Sequence, residues 1–156
     1  MINKFHYSAL FMIAILACYL TACSTAKLSG PEEDQRLRTM APAPGMALVY
    51  FVRPMAGGAI VRMRVSCDGA SIGSTNGKRY LYALVKPGKH DFISKAENKD
   101  ELPLVTQPDS TYFVEQIPEM GFFIARNSLK RLSDAEGRKK LAKCKLSGDC
   151  AAYLTK

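Results

Sequence analysis

The sequence offers few side chains suited to nucleophilic or metal chemistry. It contains five cysteines and two histidines, and His90 is the only histidine beyond residue 22. Cys67 and His90 could form a thiol–imidazole pair, but Cys67 shares an alternating apolar face with Val61, Met63 and Val65, which indicates a buried, inert thiol. A zinc site takes about four ligands, usually in pairs of fixed spacing, and no such pair accompanies His90. We therefore predict no metal, no cofactor and no enzymatic activity, with a thiol-active enzyme using Cys67 and His90 as the alternative.

His90 also has an interpretation that involves no chemistry. It directly follows Pro87-Gly88-Lys89, which is a turn signal, so we expect its ring to close this turn through a hydrogen bond. No Gly-x-Ser-x-Gly nucleophile elbow occurs. Asp91 is adjacent in sequence and would point to the opposite face of a strand from His90. A Ser-His-Asp arrangement is therefore not predicted.

Cys144 and Cys150 lie close together near the C-terminus, and Gly148 between them allows a bend. In an oxidising compartment two such cysteines usually pair, and so short a loop would add roughly 2 kcal/mol of stability by the chain-entropy argument. Because Cys67 is also available, three single pairings are open, and sequence alone cannot choose among them. The assignment of Cys67 to a core face favours a disulfide between Cys144 and Cys150.

Cys23 carries the strongest local signal among the cysteines. Lys4 is followed by an uncharged, mostly apolar segment that ends in Leu20-Thr21-Ala22-Cys23. This resembles the lipobox of bacterial lipoproteins, which implies cleavage after Ala22 and a diacylglyceryl group on the Cys23 sulfur. The diacylglyceryl group carries two chains and acylation of the new amine would add a third, enough for stable anchoring. Ser24 stands where an aspartate would resemble an inner-membrane retention signal, so the resemblance implies the outer membrane, facing the periplasm or the cell surface.

Two alternatives to this interpretation remain open. The apolar segment approaches the roughly 20 residues that a membrane span needs, so residues 1–22 could be a signal anchor in which Cys23 is incidental. Cys18 also follows a small residue, but Leu16 makes it a poorer match. We predict a lipoprotein signal peptide at residues 1–22 and a lipid on Cys23.

Composition divides the rest of the chain into a tether and one domain. Residues 23–45 contain three prolines, an acidic run and few large apolar residues, a composition typical of a flexible linker. Residues 46–156 are long enough to bury one core. The net charge of +8 fits association with anionic lipid or glycan. Nucleic acid is not an expected partner, because export would separate the chain from it.

From Ala47 onward the pattern predicts a mainly β domain. Ala47–Arg53 and Arg79–Val85 are apolar on both faces, whereas residues 59–67 alternate, as in a half-buried strand. Turn signals at Asp68-Gly69 and Asn76-Gly77 separate such segments. Further strands are predicted at residues 90–95, 102–107, 111–117 and 129–132, with 102–107 and 111–117 joined as a hairpin around Pro108-Asp109.

The C-terminal part of the domain predicts a helix. Ser133 and Glu136 match a capping box, so we expect a helix over about residues 134–143. Short strands at even spacing indicate an antiparallel β-sandwich of about seven to eight strands. The predicted fold is this sandwich with one C-terminal α-helix and a tail stapled by cysteines.

The order of these motifs resembles a known family. Residues 47–54, Val65-Ser66-Cys67-Asp68-Gly69, Ile72-Gly73, Val85-Lys86-Pro87-Gly88-Lys89-His90 and Thr111-Tyr112-Phe113-Val114 are similar to DUF2846, small bacterial lipoproteins of unknown function. The series is also similar to PEGA-type and transthyretin-like β-sandwiches of bacterial surface proteins, which more often carry an apolar residue at the position of Cys67. The resemblance covers residues 45–145 and implies a β-sandwich and membrane anchoring; it implies no activity.

Two groups of side chains are candidates for binding. Arginine and tyrosine are enriched at binding hot spots, and four such residues would form one patch if their strands are neighbours: Arg62, Arg64, Arg79 and Tyr82. Phe122 and Phe123 would mark a contact with lipid or protein if their loop is exposed. The alternatives are a solvated face with core tyrosines and aromatic residues that close the end of a sandwich. We expect a non-catalytic binding or adaptor module for an envelope component, or alternatively a passive protein that associates with anionic lipid or glycan.

Overall fold

In the part of the chain that the structure describes, two β-sheets pack face to face and two helices lie on the outer side of one sheet. The structure, a computed structural model, describes residues 30–56, 61–120 and 125–150. The helices in this part of the chain are α1 (Pro31–Arg38) and α2 (Asp134–Leu141). The strands are β1 (Ala47–Arg53), β2 (Met63–Cys67), β3 (Ala70–Thr75), β4 (Arg79–Val85), β5 (Gly88–Lys95), β6 (Lys99–Thr106), β7 (Thr111–Met120), β8 (Ala125–Leu132) and β9 (Lys145–Leu146). The predicted mainly β sandwich with a C-terminal helix is confirmed.

The five-stranded sheet has the order β8-β7-β1-β4-β9 and the four-stranded sheet the order β3-β2-β5-β6. Most neighbours are antiparallel, but β1 and β7 are parallel, as are β4 and β9. Hairpins join β2 to β3, β5 to β6 and β7 to β8. In the first of these, Asp68 and Gly69 adopt φ values of 49° and 82°, the positive-φ pair that a tight hairpin turn requires.

The predicted hairpin around Pro108-Asp109 is wrong. β6 pairs with β5, whereas β7 pairs with β1 and β8, so residues 107–110 carry the chain from one sheet to the other. Asp109 adopts a φ of 54°, and its carboxylate accepts a hydrogen bond of 2.8 Å from the Gly45 N–H. The turn chemistry was identified correctly, but a turn signal specifies where the chain reverses and not which sheet the next strand joins.

Strand β1 runs through the middle of the molecule and is buried along its whole length. Val49 and Phe51 face the core between the two sheets, where the Phe51 and Phe92 rings lie 5.3 Å apart. Tyr50 and Val52 face the other way, into a second core beneath the helices, where Tyr50 stacks on Phe113 at 5.4 Å. Two covered faces explain why this strand is continuously apolar.

Helix α2 begins as predicted. The Ser133 hydroxyl accepts from the Glu136 N–H, and the Glu136 carboxylate accepts from the Ser133 N–H at 3.3 Å, which completes the capping box. Leu141 is buried in the core beneath the helices. The sequence thus predicted the start of this helix.

The predicted tether differs from the structure from Pro31 onward. Residues 31–38 form α1, and Leu37 on this helix is buried. The Tyr50 hydroxyl donates to the Leu37 carbonyl, and the Asp34 carboxylate accepts from the Leu146 N–H at 3.0 Å. Composition suggested a linker because large apolar residues are few, but Leu37 is buried and Met40 packs against the core beneath the helices.

The predicted signal peptide at residues 1–22, the lipidation position Cys23 and the tether up to residue 29 lie outside the described residues. Neither helix in the described ranges is long and apolar enough to span a membrane.

Candidate functional site

The four residues predicted to form one binding patch do not come together. Arg64 is exposed on β2 of the four-stranded sheet. Tyr82 is on β4 of the five-stranded sheet, where its ring packs beneath the helices 6.4 Å from that of Tyr50. These positions belong to opposite outer faces of the sandwich, so the patch as predicted is wrong.

The other two arginines of the predicted patch are each engaged locally. Arg62 donates from Nε to the Ser74 hydroxyl at 2.6 Å and forms an ion pair of 2.8 Å with Asp149. Arg79 donates to the Leu146 carbonyl at 3.1 Å. Phe122 and Phe123, the second predicted group, lie outside the described residues.

Arg79 instead borders a groove between α1 and the β4–β9 edge of the five-stranded sheet. This groove has a volume of about 420 Å³. Its charged lining residues, which define what we call the basic groove, are Asp34, Arg38, Arg79 and Lys145. A smaller cavity of about 200 Å³ continues between α1 and α2 and is lined by Arg38 and Arg138. Helix α1 positions two of the four charged residues, and the pairing of β9 with β4 positions the other two.

The basic groove carries a net positive charge. Burial alone would raise the pKa of Asp34, but hydrogen bonds from Arg38, Tyr80 and the Leu146 N–H outweigh it and lower that pKa below 3.8. The resulting carboxylate forms an ion pair with Arg38. The Lys145 side chain is exposed and has no ion pair within the described part of the chain. The groove thus has three cationic side chains and one carboxylate, a charge balance that favours binding of an anionic ligand.

Sequence analysis identified one of these groove residues and missed the others. Arg79 was a predicted patch residue because arginine is enriched at binding hot spots. The prediction of a tether over residues 23–45 excluded Arg38, and Lys145 was missed because β9 has only two residues. The acidic first turn and basic last turn of α1 were an available signal, since that charge order is typical of a helix.

The predicted disulfide between Cys144 and Cys150 is not formed, and both are free thiols. Cys144 is buried in the core beneath the helices, whereas Cys150 packs against the core between the sheets. The Cys150 sulfur accepts from the Tyr82 N–H at 3.4 Å, and its S–H donates to the Tyr82 carbonyl at 3.3 Å. Between the two cysteines the chain passes along the edge of β4, so closeness in sequence does not bring the two sulfurs to the same side of the sheet.

A second cluster joins Cys67, Asp68 and His90 at the turn between β2 and β3. The distance from the Cys67 sulfur to His90 Nδ1 is 3.7 Å, and the distance from the Asp68 Oδ2 to the same nitrogen is 2.7 Å. His90 Nε2 lies 2.7 Å from the Lys86 carbonyl oxygen. The ring therefore closes the turn by a hydrogen bond, as predicted from its place after Pro87-Gly88-Lys89.

Backbone hydrogen bonds hold this cluster in register. The Asp68 N–H donates to the Asp91 carbonyl at 3.1 Å, and the Asp91 N–H returns a bond of 2.9 Å to Asp68 Oδ1. Asp68 Oδ1 is occupied in this way, which leaves Oδ2 to face His90. Sequence analysis paired Cys67 with His90 in its alternative of a thiol-active enzyme. It missed Asp68, because the dipeptide Asp68-Gly69 is a turn signal.

The electrostatics of the cluster oppose thiolate chemistry. Burial raises the pKa of the Cys67 thiol to about 12, and the neighbouring carboxylates of Asp68 and Asp91 contribute to the increase. Burial would also raise the pKa of Asp68, but hydrogen bonds from the Asp91 N–H and His90 lower it below 3.8. The cluster thus sets a protonated thiol beside a carboxylate, which is unlike the thiolate that a nucleophilic cysteine requires.

Comparison with known proteins found a matching family model and a similar bacterial protein. A family model described as "Protein of unknown function (DUF2846)" matches residues 43–127. The chain is also 25% identical over 134 residues to an uncharacterized protein of Haemophilus influenzae, an alignment that covers 85% of this chain and 80% of that protein.

Proposed function

Since the chain belongs to the DUF2846 family of proteins of unknown function, we propose that its role follows from its own residues: it is a lipid-anchored protein of the bacterial outer membrane with a non-catalytic binding domain. The observation that carries the proposal is Leu20-Thr21-Ala22-Cys23 at the end of an apolar segment. Cleavage before Cys23 and acylation of this residue would attach the β-sandwich to the membrane by two or three chains.

The position of α1 makes the attachment short. Only residues 24–30 separate Cys23 from the first residue of α1. A chain of that length spans less than about 30 Å even when fully extended. The basic groove, which α1 borders, would therefore face the membrane or a molecule at the membrane surface. We propose this groove as the binding surface.

The alternative of a thiol-active enzyme using Cys67 and His90 is less well supported. The two side chains are 3.7 Å apart, but a thiol with a pKa of about 12 is protonated at physiological pH and is a poor nucleophile. We therefore propose binding rather than catalysis.

The anchor is tested by metabolic labelling of the full-length chain with a palmitate analogue in a Gram-negative host. We expect label on the wild-type chain and recovery in the outer-membrane fraction. The Cys23→Ser variant should lose both, whereas Cys18→Ser, a matched change in the same segment, should keep both. A Cys23→Ser chain that still carries label and fractionates with the outer membrane would overturn the anchor.

The basic groove supports a second candidate function, association with anionic lipid or glycan, because its cations outnumber its carboxylates. One experiment distinguishes the two candidates. A photoreactive residue is placed at Lys145 in the groove, and as a matched control at Arg64 on the opposite face of the sandwich, and adducts formed in intact cells are identified by mass spectrometry.

A dominant protein adduct from position 145 alone supports a binding or adaptor module. Lipid or glycan adducts from that position alone support the second candidate, and these should weaken steeply as ionic strength rises. Equal adducts from positions 145 and 64, or none from position 145, would contradict the groove as the binding surface.

A further inference from the structure

Cys67, Asp68 and His90 bring three different metal-ligand atoms to one point at the β2–β3 turn. The Cys67 sulfur, Asp68 Oδ2 and His90 Nδ1 all lie within 4.8 Å of one another. The sulfur is 3.7 Å from the nitrogen and 3.6 Å from the oxygen. A tetrahedral zinc ion with the usual bond lengths would hold its sulfur ligand about 3.5 Å from nitrogen and oxygen ligands. We propose that these three residues form a binding site for one zinc ion.

The third distance requires a small adjustment. Asp68 Oδ2 and His90 Nδ1 are 2.7 Å apart, whereas two such ligands of a tetrahedral ion lie about 3.4 Å apart. The ion would replace the hydrogen bond between them and move the carboxylate outward. The Asp68 side chain is 37% exposed, so solvent is available on the side toward which it would move. This side also offers the fourth coordination position to water.

Contacts outside the three ligands already orient them as a metal would require. A ligating histidine usually donates its other ring N–H to a carbonyl or carboxylate, and ligating carboxylates are themselves hydrogen-bonded. Here His90 Nε2 faces the Lys86 carbonyl at 2.7 Å, which turns Nδ1 toward the cluster. The Asp91 N–H holds Asp68 Oδ1 at 2.9 Å, which leaves Oδ2 toward the ion. Both contacts involve backbone groups whose positions are set by the turn and by strand pairing.

The donor set favours zinc over other divalent ions. Magnesium and calcium prefer oxygen ligands, whereas a set of sulfur, nitrogen and oxygen suits zinc. On binding, the Cys67 S–H bond breaks, its proton leaves to solvent and the sulfur coordinates the ion as thiolate. The neighbouring carboxylates of Asp68 and Asp91 make the spot locally acidic in a chain whose net charge is +8, which favours a cation there.

The sequence analysis rejected a metal site because it looked for paired cysteines and histidines. The ligand that it left out, Asp68, sits next to Cys67 and appeared to serve only the turn. This proposal does not depend on the lipid anchor or on the basic groove, and its failure would leave both untouched.

The test is a metal titration of the full-length chain purified in detergent. Zinc is measured by competition with a chromophoric chelator, and cobalt is used as a spectroscopic substitute that reports thiolate ligation by a charge-transfer band. We expect one zinc ion per chain and a cobalt–thiolate band. Cys67→Val should abolish the band and weaken zinc binding at least tenfold, since even loss of a supporting contact costs 10–100-fold. Valine suits this position because Cys67 packs with Val65 in the core between the sheets.

Two further variants complete the design. Cys150→Ser, at a half-buried thiol outside the cluster, should bind zinc and cobalt as the wild type does. His90→Asn should weaken zinc binding, with thermal unfolding confirming that it is folded. Absence of a cobalt–thiolate band in the wild type would overturn the proposal, as would equal zinc affinity in wild type and Cys67→Val.

Discussion

At the scale of single residues, Asp149 shows how one side chain ties the C-terminal segment to the sandwich. Its carboxylate accepts hydrogen bonds from the Ser74 and Ser147 hydroxyls at 2.5 Å and 3.0 Å and pairs with Arg62. Burial alone would raise the pKa of Asp149, but these hydrogen bonds lower it from 3.8 to about 2. The folded state thus prefers the ionised carboxylate, which makes stability depend on pH in a definite direction.

Asp149→Asn should lower the free energy of unfolding at neutral pH by about 1 kcal/mol, a value reduced for solvent screening because the side chain is 41% exposed. A depressed folded-state pKa contributes stability that is fully present above the unfolded value of about 3.8 and is lost as the pH falls through about 2. The difference in free energy of unfolding between wild type and variant, measured by urea denaturation, should therefore decrease as the pH falls from 4 to 2. Glu33→Gln, at an exposed carboxylate without an ion pair in the described residues, should show little change. A difference that stays constant with pH would contradict this role.

At the scale of elements, the docking of α2 depends on a residue that weakens the helix in isolation. Gly137 lies in the middle of α2 and is buried. A Cβ atom at this position would overlap the Phe113 side chain on β7. Glycine lowers helix propensity by about 1 kcal/mol relative to alanine, but here it allows the helix backbone to approach the sheet closely. The close approach also places Leu141 in the core beneath the helices.

Gly137→Ala should therefore destabilise the protein although alanine favours helices. Overpacking costs about 1–3 kcal/mol and the propensity gain is about 1 kcal/mol. Because the overlap with Phe113 is severe, the cost should lie at the upper end, so the net loss should be about 2 kcal/mol. Chemical unfolding measures it. Gly148→Ala is the matched control, because a Cβ there would meet nothing within 4 Å. Stabilisation by Gly137→Ala would show that α2 does not pack as closely as described.

At the scale of the whole molecule, the last described residues close an edge of the five-stranded sheet. The Lys145 N–H donates to the Lys78 carbonyl at 3.0 Å and the Ser147 N–H to the Tyr80 carbonyl at 2.9 Å. Cys150 then bonds to the backbone of Tyr82. Without this segment, the seven residues of β4 would form a long apolar edge, which is a template for association between chains.

A chain that ends at Cys144 should lose about 2 kcal/mol of stability from the two N–H···O hydrogen bonds alone, at about 1 kcal/mol each, and should self-associate through β4. Chemical unfolding and analytical ultracentrifugation measure the two effects. The matched control ends at Cys150 and keeps the closing segment, so it should behave as the full-length chain does. Equal stability and a monomeric state for both truncated chains would show that the segment is dispensable.

The sequence by itself determined most of the strands and the start of α2. Strands such as β1 and β4 were located by their apolar patterns, because burial of one or both faces of a strand determines how apolar residues recur along it. Ser133 and Glu136 located the start of α2, because a capping box uses only residues within one helical turn. The prediction of a lipid on Cys23 is likewise local, since it rests on four consecutive residues.

Only the tertiary structure decided how these elements combine. It moved residues 31–38 from a predicted tether into α1, left Cys144 and Cys150 on different sides of a sheet, and dispersed the predicted patch of arginines and Tyr82. It also assembled the basic groove and the cluster of Cys67, Asp68 and His90. These features join residues that are distant in sequence, and their meeting depends on which sheet each strand joins, a choice set by the packing of two cores at once rather than by any local signal.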